Sequence, residues 1–196
     1  VGRRLLEYAA RSNLKRVYLE LGGKSPNIVF ADAPDLDNAA RVSAMGIFRN
    51  SGQVCVAGSR LLVERAVHDA FVEKVCSVAS GLKVGDPLDL RTDIGAVTSD
   101  AQLRRNLMAV AKAQEQGAQL RTGGRRLHAD SGGYFMEPTV FDRVTPDMQL
   151  AREEVFGPVL GVMPFDDEAH ALQLANGTDY GLASAVWTGN LSRAHR

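Results

Sequence analysis

What this sequence has little of narrows the field first. It holds two cysteines, Cys55 and Cys76, in 196 residues, too few for a disulfide scaffold at this length. That usage fits a reducing compartment, and a cytoplasmic location is expected. There is no charge excess: 23 Lys+Arg balance 23 Asp+Glu. With no basic surplus to neutralise phosphates and no like-charged tail, nucleic acid is not expected as a partner. No apolar run approaches the roughly 20 residues that span a bilayer, so no membrane partner is expected either. The opening VGRRLLEYAARSN puts charge directly before a mixed helical pattern and resembles no signal peptide. An initiating Met is absent, and the first and last residues fall in helix-like sequence, so a piece of a longer protein is expected. No metal site is expected.

What is present is ordinary globular material, 45% hydrophobic and 23% charged, long enough for one substantial core. Helical spacing runs from Arg3 to Ser12, from Ala33 to Phe48 with Pro34 near its first turn, over 66–80, over Asp100 to Gln116 and over 167–176. Strand-like runs occupy Arg16 to Glu20, Ser25 to Phe30, Leu61 to Val63, Gln119 to Arg121, Tyr134 to Phe141, Gly157 to Pro164 and Leu182 to Trp187. Glycine- and proline-bearing sequence near 122–138 marks an exposed excursion. Strands alternating with helices predict an α/β domain with a parallel sheet covered on both faces.

The loop SGQVCVAGSR, residues 51–60, carries the first chemical signal. A nucleophilic cysteine needs an exposed sulfur and a favoured thiolate, helped by backbone N–H groups or a nearby positive charge. Cys55 lies between Gly52 and Gly58, which let the backbone bend closely around a reacting group. Core packing accounts for most lone cysteines, and it is the reading taken for Cys76, mid-helix between Val75 and Val78. The second signal is LELGGKSPN, residues 19–27, in which Glu20 ends an apolar run before a double-glycine turn. Carboxyl ends of strands face the ligand crevice of an α/β sheet. A carboxylate there is either a general base or a solvated loop residue, and the residues alone favour the second. The third is EEVFGPVL, residues 153–160, whose carboxylates either hold ligand hydroxyls or cap the loop. Lys24, Ser25, Pro26 and Asn27 read as turn structure; Arg60 either shapes the cysteine loop or forms a structural salt bridge, and the salt bridge is the reading taken.

Taken in order, LELGGKSPNIVFADAPDLDNA, GQVCVAGSR and EEVFGPVL resemble the aldehyde dehydrogenase superfamily, over essentially the whole chain. The resemblance implies a parallel doubly wound α/β sheet with helices on both faces. It divides the chain into the terminal helix of a cofactor-binding domain (1–16) and a catalytic domain (17–196). It also implies NAD(P)-dependent oxidation of an aldehyde to a carboxylic acid. Cys55 attacks the aldehyde to form a thiohemiacetal, a hydride passes to the nicotinamide ring, and Glu20 activates the water that hydrolyses the resulting thioester. The backbone N–H of Cys55 is one donor to the alkoxide. By the same likeness Glu154 binds the ribose hydroxyls beside the nicotinamide and Phe156 packs near that ring. Gln102 and Arg105 approach the same ribose, and Gly2 matches the last glycine of a phosphate-side turn.

NAD is the implied cofactor, with NADP left open because residues at the ribose 2′ position lie outside the resemblance. A homo-oligomer is implied for the whole protein. The stretch ALQLANGTDYGLASAVWTGNLSRAHR is similar to dehydrogenases of amino-aldehydes, the gamma-glutamyl-aminobutyraldehyde group with betaine aldehyde dehydrogenases near by. Family members run to more than twice this length. The lysine that holds the adenosine ribose and the asparagine that completes the oxyanion hole have no counterpart here. The chain alone is therefore expected to oxidise aldehydes poorly or not at all. Three other readings stay open: acyl transfer to coenzyme A, against which Glu20 argues; a cofactor-independent cysteine esterase using Cys55 and Glu20; and a non-catalytic module.

Overall fold

The computed structural model describes residues 1–196. Chain order begins with α1 (Gly2–Arg11), β1 (Pro26–Val29), α2 (Leu36–Phe48), β2 (Arg60–Glu64) and α3 (His68–Gly81). It continues through α4 (Asp100–Glu115), β3 (Gln119–Thr122), β4 (Arg126–Leu127), β5 (Phe135–Met136) and β6 (Thr139–Asp142). The remainder is α5 (Gln149–Arg152), β7 (Val159–Phe165), α6 (Glu168–Ala175), β8 (Ala185–Trp187) and α7 (Leu191–Ala194). Six strands form one sheet in the order β3-β6-β7-β2-β1-β8, while β4 and β5 pair as a separate two-stranded hairpin.

The expected α/β class holds, with one departure in strand direction. All neighbours in the large sheet are parallel except β3, which runs antiparallel to β6. A parallel return needs a crossover, usually a helix. Between β3 and β6 the chain makes only the β4–β5 hairpin and turns back on itself. That hairpin is the excursion anticipated near 122–138.

Alternation along the central strands divides the core into two layers. Val29, Leu61, Val63, Leu160 and Val162 face α2 and α3, packing with Ala39, Phe48, Phe71 and Val75. Ile28, Leu62, Val159, Met163 and Phe165 face the other way, onto Leu103 and Val110 of α4 and Ala171 and Leu174 of α6. Leu61, Leu62 and Val63 are fully buried. Two-sided burial of this kind is why these strands read as unbroken apolar runs. Side-chain caps fix three helix starts: Asp35 accepts from the Asn38 N–H at 2.9 Å, Ser99 from Gln102 at 3.2 Å and Asp167 from His170 at 2.8 Å. Pro34 lies directly before the Asp35 cap, next to the first turn of α2 as expected. Buried His68, at the start of α3, sits 3.0 Å from the buried Asp142 carboxylate of β6. The hydrogen bond to Asp142, outweighing the cost of burial, raises the His68 pKa and fastens α3 to the sheet.

Two further expectations fail for local reasons. Arg16–Glu20 forms no strand and stays irregular, with Tyr18 86% exposed. Strand propensity is expressed only where a ladder neighbour exists, and the chain pairs no strand with this stretch. Tyr134–Phe141 divides into β5 and β6 at Glu137-Pro138, because a proline donates no ladder hydrogen bond. Helix α1 forms as expected, but Leu5, Leu6 and Tyr8 are 43%, 50% and 61% exposed, so most of its apolar face is uncovered.

Candidate active site

Three loops converge at one place, and glycines make the convergence possible. Residues Asn50, Ser51 and Gly52 all have positive φ (53°, 55° and 70°), so the chain leaves α2 through a left-handed bend before reaching the cysteine. Ser51 anchors that bend by donating to the Gly95 carbonyl at 2.8 Å, and the Gln53 side chain accepts from the Thr98 N–H at 2.8 Å. Cys55 then sits in a tight turn closed by Ala57 N–H donating to the Val54 carbonyl at 3.0 Å. Its side chain is half-buried, whereas Val56 beside it is 49% exposed.

The Gly22-Gly23 turn packs on one side of this loop. A Cβ at Gly23 would lie 2.1 Å from the Cys55 carbonyl oxygen. The Phe156-Gly157 turn packs on the other, where a Cβ at Gly52 would lie 2.0 Å from the Gly157 carbonyl oxygen. The outer two loops are joined directly: the Gly23 N–H donates to Glu154 Oε1 at 3.0 Å. A Cβ at Gly22 would meet Glu154 Oε2 at 2.5 Å. The three sequence signals are thus one structural unit, with the cysteine loop in the middle.

Phe156 holds a left-handed backbone (φ 55°) and remains 38% exposed. A bulky residue in that region is strained, and surrounding structure has to hold it there. Gln102 provides the hold: its side-chain amide donates to the Val155 and Phe156 carbonyls at 2.9 and 3.1 Å. Its Oε1 accepts from exposed Arg105 at 2.6 Å. Gln102 is 5% exposed, so it supports the aromatic turn from beneath, and Arg105 is the member of the pair that faces solvent. Glu154, Phe156, Gln102 and Arg105 line one cleft of about 710 Å³ between α4 and the 153–156 loop. A carboxylate with one oxygen pinned by Gly23 and an exposed ring next to it suit a sugar bearing vicinal hydroxyls and a flat heteroaromatic ring. The residues present fit the nicotinamide–ribose half of a dinucleotide.

Other anticipated residues fall less centrally. Glu20 lies in the irregular stretch before Gly22, exposed, and its carboxylate accepts no hydrogen bond. Gly2 opens α1 and is buried against Leu21 and Leu19. Cys76 is buried in the α3 layer as expected, and burial pushes its thiol up to about 11.

Two residues were misjudged by sequence reasoning. Arg60 forms no salt bridge; it is 2% exposed and its guanidinium donates to three main-chain carbonyls, those of Lys24 (2.9 Å), Leu174 (2.7 Å) and Ala175 (2.7 Å). Lys24 is no surface turn residue: it is 1% exposed and its Nζ has no hydrogen-bond partner, while Pro26 and Asn27 belong to β1. The only hint was position, since a lysine directly before a fully buried parallel strand has little surface to reach.

Burial, reinforced by the Arg60 charge, lowers the Lys24 amine to about 7. The unfolded chain binds a proton between there and the ordinary value of 10.5 that the folded chain refuses. Folding stability therefore rises as pH increases through that window and falls toward pH 7. Lys24→Met is expected to stabilise this chain at pH 7 by about 3 kcal/mol and to flatten that dependence. Urea midpoints of both forms at neutral and mildly alkaline pH check it; equal slopes with pH would refute it.

Comparison with known proteins bears on this cluster. The family model described as "Aldehyde dehydrogenase family" matches residues 1–196. A curated "Aldehyde dehydrogenase" of Emericella nidulans is 50% identical over 196 residues, 100% of this chain and 39% of its own. A crystal structure of indole-3-acetaldehyde dehydrogenase complexed with NAD+ aligns at TM-score 0.95 and 51% identity, covering 99% of this chain and 39% of that one. The gamma-glutamyl-gamma-aminobutyraldehyde dehydrogenase of Burkholderia cenocepacia aligns at TM-score 0.93 and 52% identity, with the same coverage. The chain thus spans about two-fifths of the length of the relatives it matches.

Proposed function

The chain belongs to the aldehyde dehydrogenase family, and we propose that the protein containing it oxidises an aldehyde to the carboxylic acid with NAD+, through Cys55. The observation that carries the proposal is the packing of the cysteine loop between the Gly22-Gly23 turn and the Phe156-Gly157 turn, tied together by Glu154. In this reading the Cys55 thiolate adds to the aldehyde carbon and gives a tetrahedral alkoxide on sulfur. Main-chain N–H groups of the loop stabilise that charge in a site where they need no reorganisation. When bound, NAD would supply the hydride acceptor that turns the cysteine-bound alkoxide into a thioester. Glu154 would hold the ribose hydroxyls next to the nicotinamide, with Phe156 against the ring and Gln102 bracing the turn that presents it. Arg105 and Gly2 complete the proposed cofactor contacts.

Glu20 would then take a proton from water as its oxygen adds to the thioester carbon, and the Cys55 thiolate leaves with the carboxylic acid released. Residues 1–16 fit a terminal helix of a cofactor domain, since α1 leaves its apolar residues uncovered, and residues 17–196 the catalytic domain. An amino-aldehyde is the proposed substrate class, supported by the likeness to the gamma-glutamyl-gamma-aminobutyraldehyde dehydrogenase. A cytoplasmic homo-oligomer is the proposed setting; no helix is long and apolar enough to cross a membrane.

The test is Glu20→Gln in the full-length protein. Mixing with aldehyde and NAD+ should give a first-turnover burst of NADH close to one per active site. Steady turnover should then be slowed roughly 10²-fold or more, with a thioester on Cys55 detectable by mass spectrometry. Steady turnover equal to that of the unmodified protein would remove Glu20 from the proposal.

A further inference from the structure

A buried guanidinium has to satisfy both its charge and five N–H donors. Arg60 places three of those donors, on Nε, Nη1 and Nη2, on main-chain carbonyls. No carboxylate lies within ion-pair distance, and its acceptors are the carbonyls of Lys24, Leu174 and Ala175. Leu174 and Ala175 form the last turn of α6, where the final carbonyls carry partial negative charge, so the cation caps the helix C-terminus and is offset by its dipole. The third acceptor belongs to a different element. Lys24 follows Gly23, which packs on the Cys55 carbonyl and donates to Glu154. Arg60 is itself the last residue of the cysteine loop and the first of β2, and its own N–H reaches the Ser25 carbonyl at 3.4 Å. One side chain therefore binds the exit of the cysteine loop and the exit of the Glu20–Lys24 segment to the end of a packed helix.

We infer that Arg60 is a positioning residue for thioester hydrolysis, setting the distance between the Cys55 loop and the segment bearing Glu20. The inference rests on the proposed roles of Cys55 and Glu20. Arg60 touches neither side chain, so addition of the thiolate to a carbonyl does not depend on it. Hydrolysis does, because Glu20 lies in an irregular stretch with no ladder of its own. In the proposed hydrolysis its approach to the cysteine-bound carbonyl would depend on the turn that follows it, and that turn ends at Lys24, whose carbonyl accepts from Arg60 Nε. Lysine cannot substitute: a single compact ammonium on a flexible stem does not reach three diverging carbonyls.

The experiment uses the full-length protein with p-nitrophenyl acetate, which acylates a cysteine without the cofactor. The unmodified protein should show a nitrophenol burst near one per site, lost in Cys55→Ala, followed by steady turnover. Arg60→Lys should keep the burst, while steady turnover falls roughly 10- to 100-fold. Arg60→Ala, read at low temperature, should recover part of its steady turnover when guanidinium is added at sub-denaturing concentration. Unchanged steady turnover in Arg60→Lys would overturn the inference. So would burst and turnover falling together in step with the melting temperature, without rescue, which is the signature of a purely structural role. Absence of a Cys55-dependent burst in the unmodified protein would instead overturn the active-site reading on which the inference stands.

Discussion

Cys55→Ala in the full-length protein is expected to remove aldehyde oxidation by roughly 10⁴-fold or more, because no other group in the site can form the covalent intermediate. The fold should tolerate the change. Cys55 is half-buried in a turn whose hydrogen bond runs between the Val54 and Ala57 main chains, so deleting the sulfur leaves the turn intact. The proposed cofactor contacts at Glu154 and Phe156 are untouched, and NAD+ binding measured by fluorescence or calorimetry should stay within about threefold. Cys76→Ala makes the contrast. Its thiol is packed in the α3 layer, so activity should persist while stability drops by about 1 kcal/mol.

Alkylation separates the two thiols independently. Cys76, pushed up to about 11 by burial, presents about one thiolate in 10⁴ at pH 7, behind a closed layer. Iodoacetamide should therefore label Cys55 first, by peptide mapping, in the unmodified protein. Equal labelling rates, or appreciable NADH production by Cys55→Ala, would end the case for Cys55 as nucleophile.

Gly52→Ala should be the most damaging single methyl in the molecule. Two independent costs coincide there. The backbone φ of 70° is one that an L side chain adopts only with strain. The new Cβ would also fall 2.0 Å from the Gly157 oxygen and 2.2 Å from its carbonyl carbon, main-chain atoms that cannot rotate away. Relief requires the Phe156-Gly157 turn to move, and with it Glu154 and the Gln102 hydrogen bonds. A loss of about 4 kcal/mol or more is expected, read as a lower denaturation midpoint. Any folded remainder should bind NAD+ more weakly. Gly46→Ala is the matched control. Gly46 lies in α2 with nothing within 4 Å of its would-be Cβ, and the added methyl should stabilise the helix by up to about 1 kcal/mol. If the two variants melt alike, close approach at Gly52 is not what joins the loops.

Local patterns carried the helices and the central strands well. The spacing of Val67, Phe71, Val75 and Val78 anticipates α3. The runs at Leu61–Val63 and Gly157–Pro164 anticipate β2 and β7, because two-sided burial leaves a signal in every residue. Arg16–Glu20 misled for the complementary reason: its residues suit a strand, but pairing depends on a neighbour that composition does not reveal. The direction of β3 was equally hidden, since it depends on whether the following connection crosses the sheet.

The candidate site divides in the same way. Sequence by itself marked three loops as candidates, through Gly52 and Gly58 beside a cysteine, the double glycine after Glu20 and the carboxylates before Phe156, and the likeness of all three motifs to one family suggested the chemistry. Tertiary structure alone decided how those loops meet. It put Gly23 on the Cys55 carbonyl, Gly52 on Gly157 and Glu154 on the Gly23 N–H. It also buried Lys24 and turned Arg60 from an expected ion-pair partner into a tie among three carbonyls. The physical reason is range. Propensity, capping and alternation act over a few neighbouring residues and are written where they act. Desolvation of a lysine and the acceptors of a guanidinium are set by segments more than a hundred residues away, such as Leu174 from Arg60, and exist only once the chain has folded.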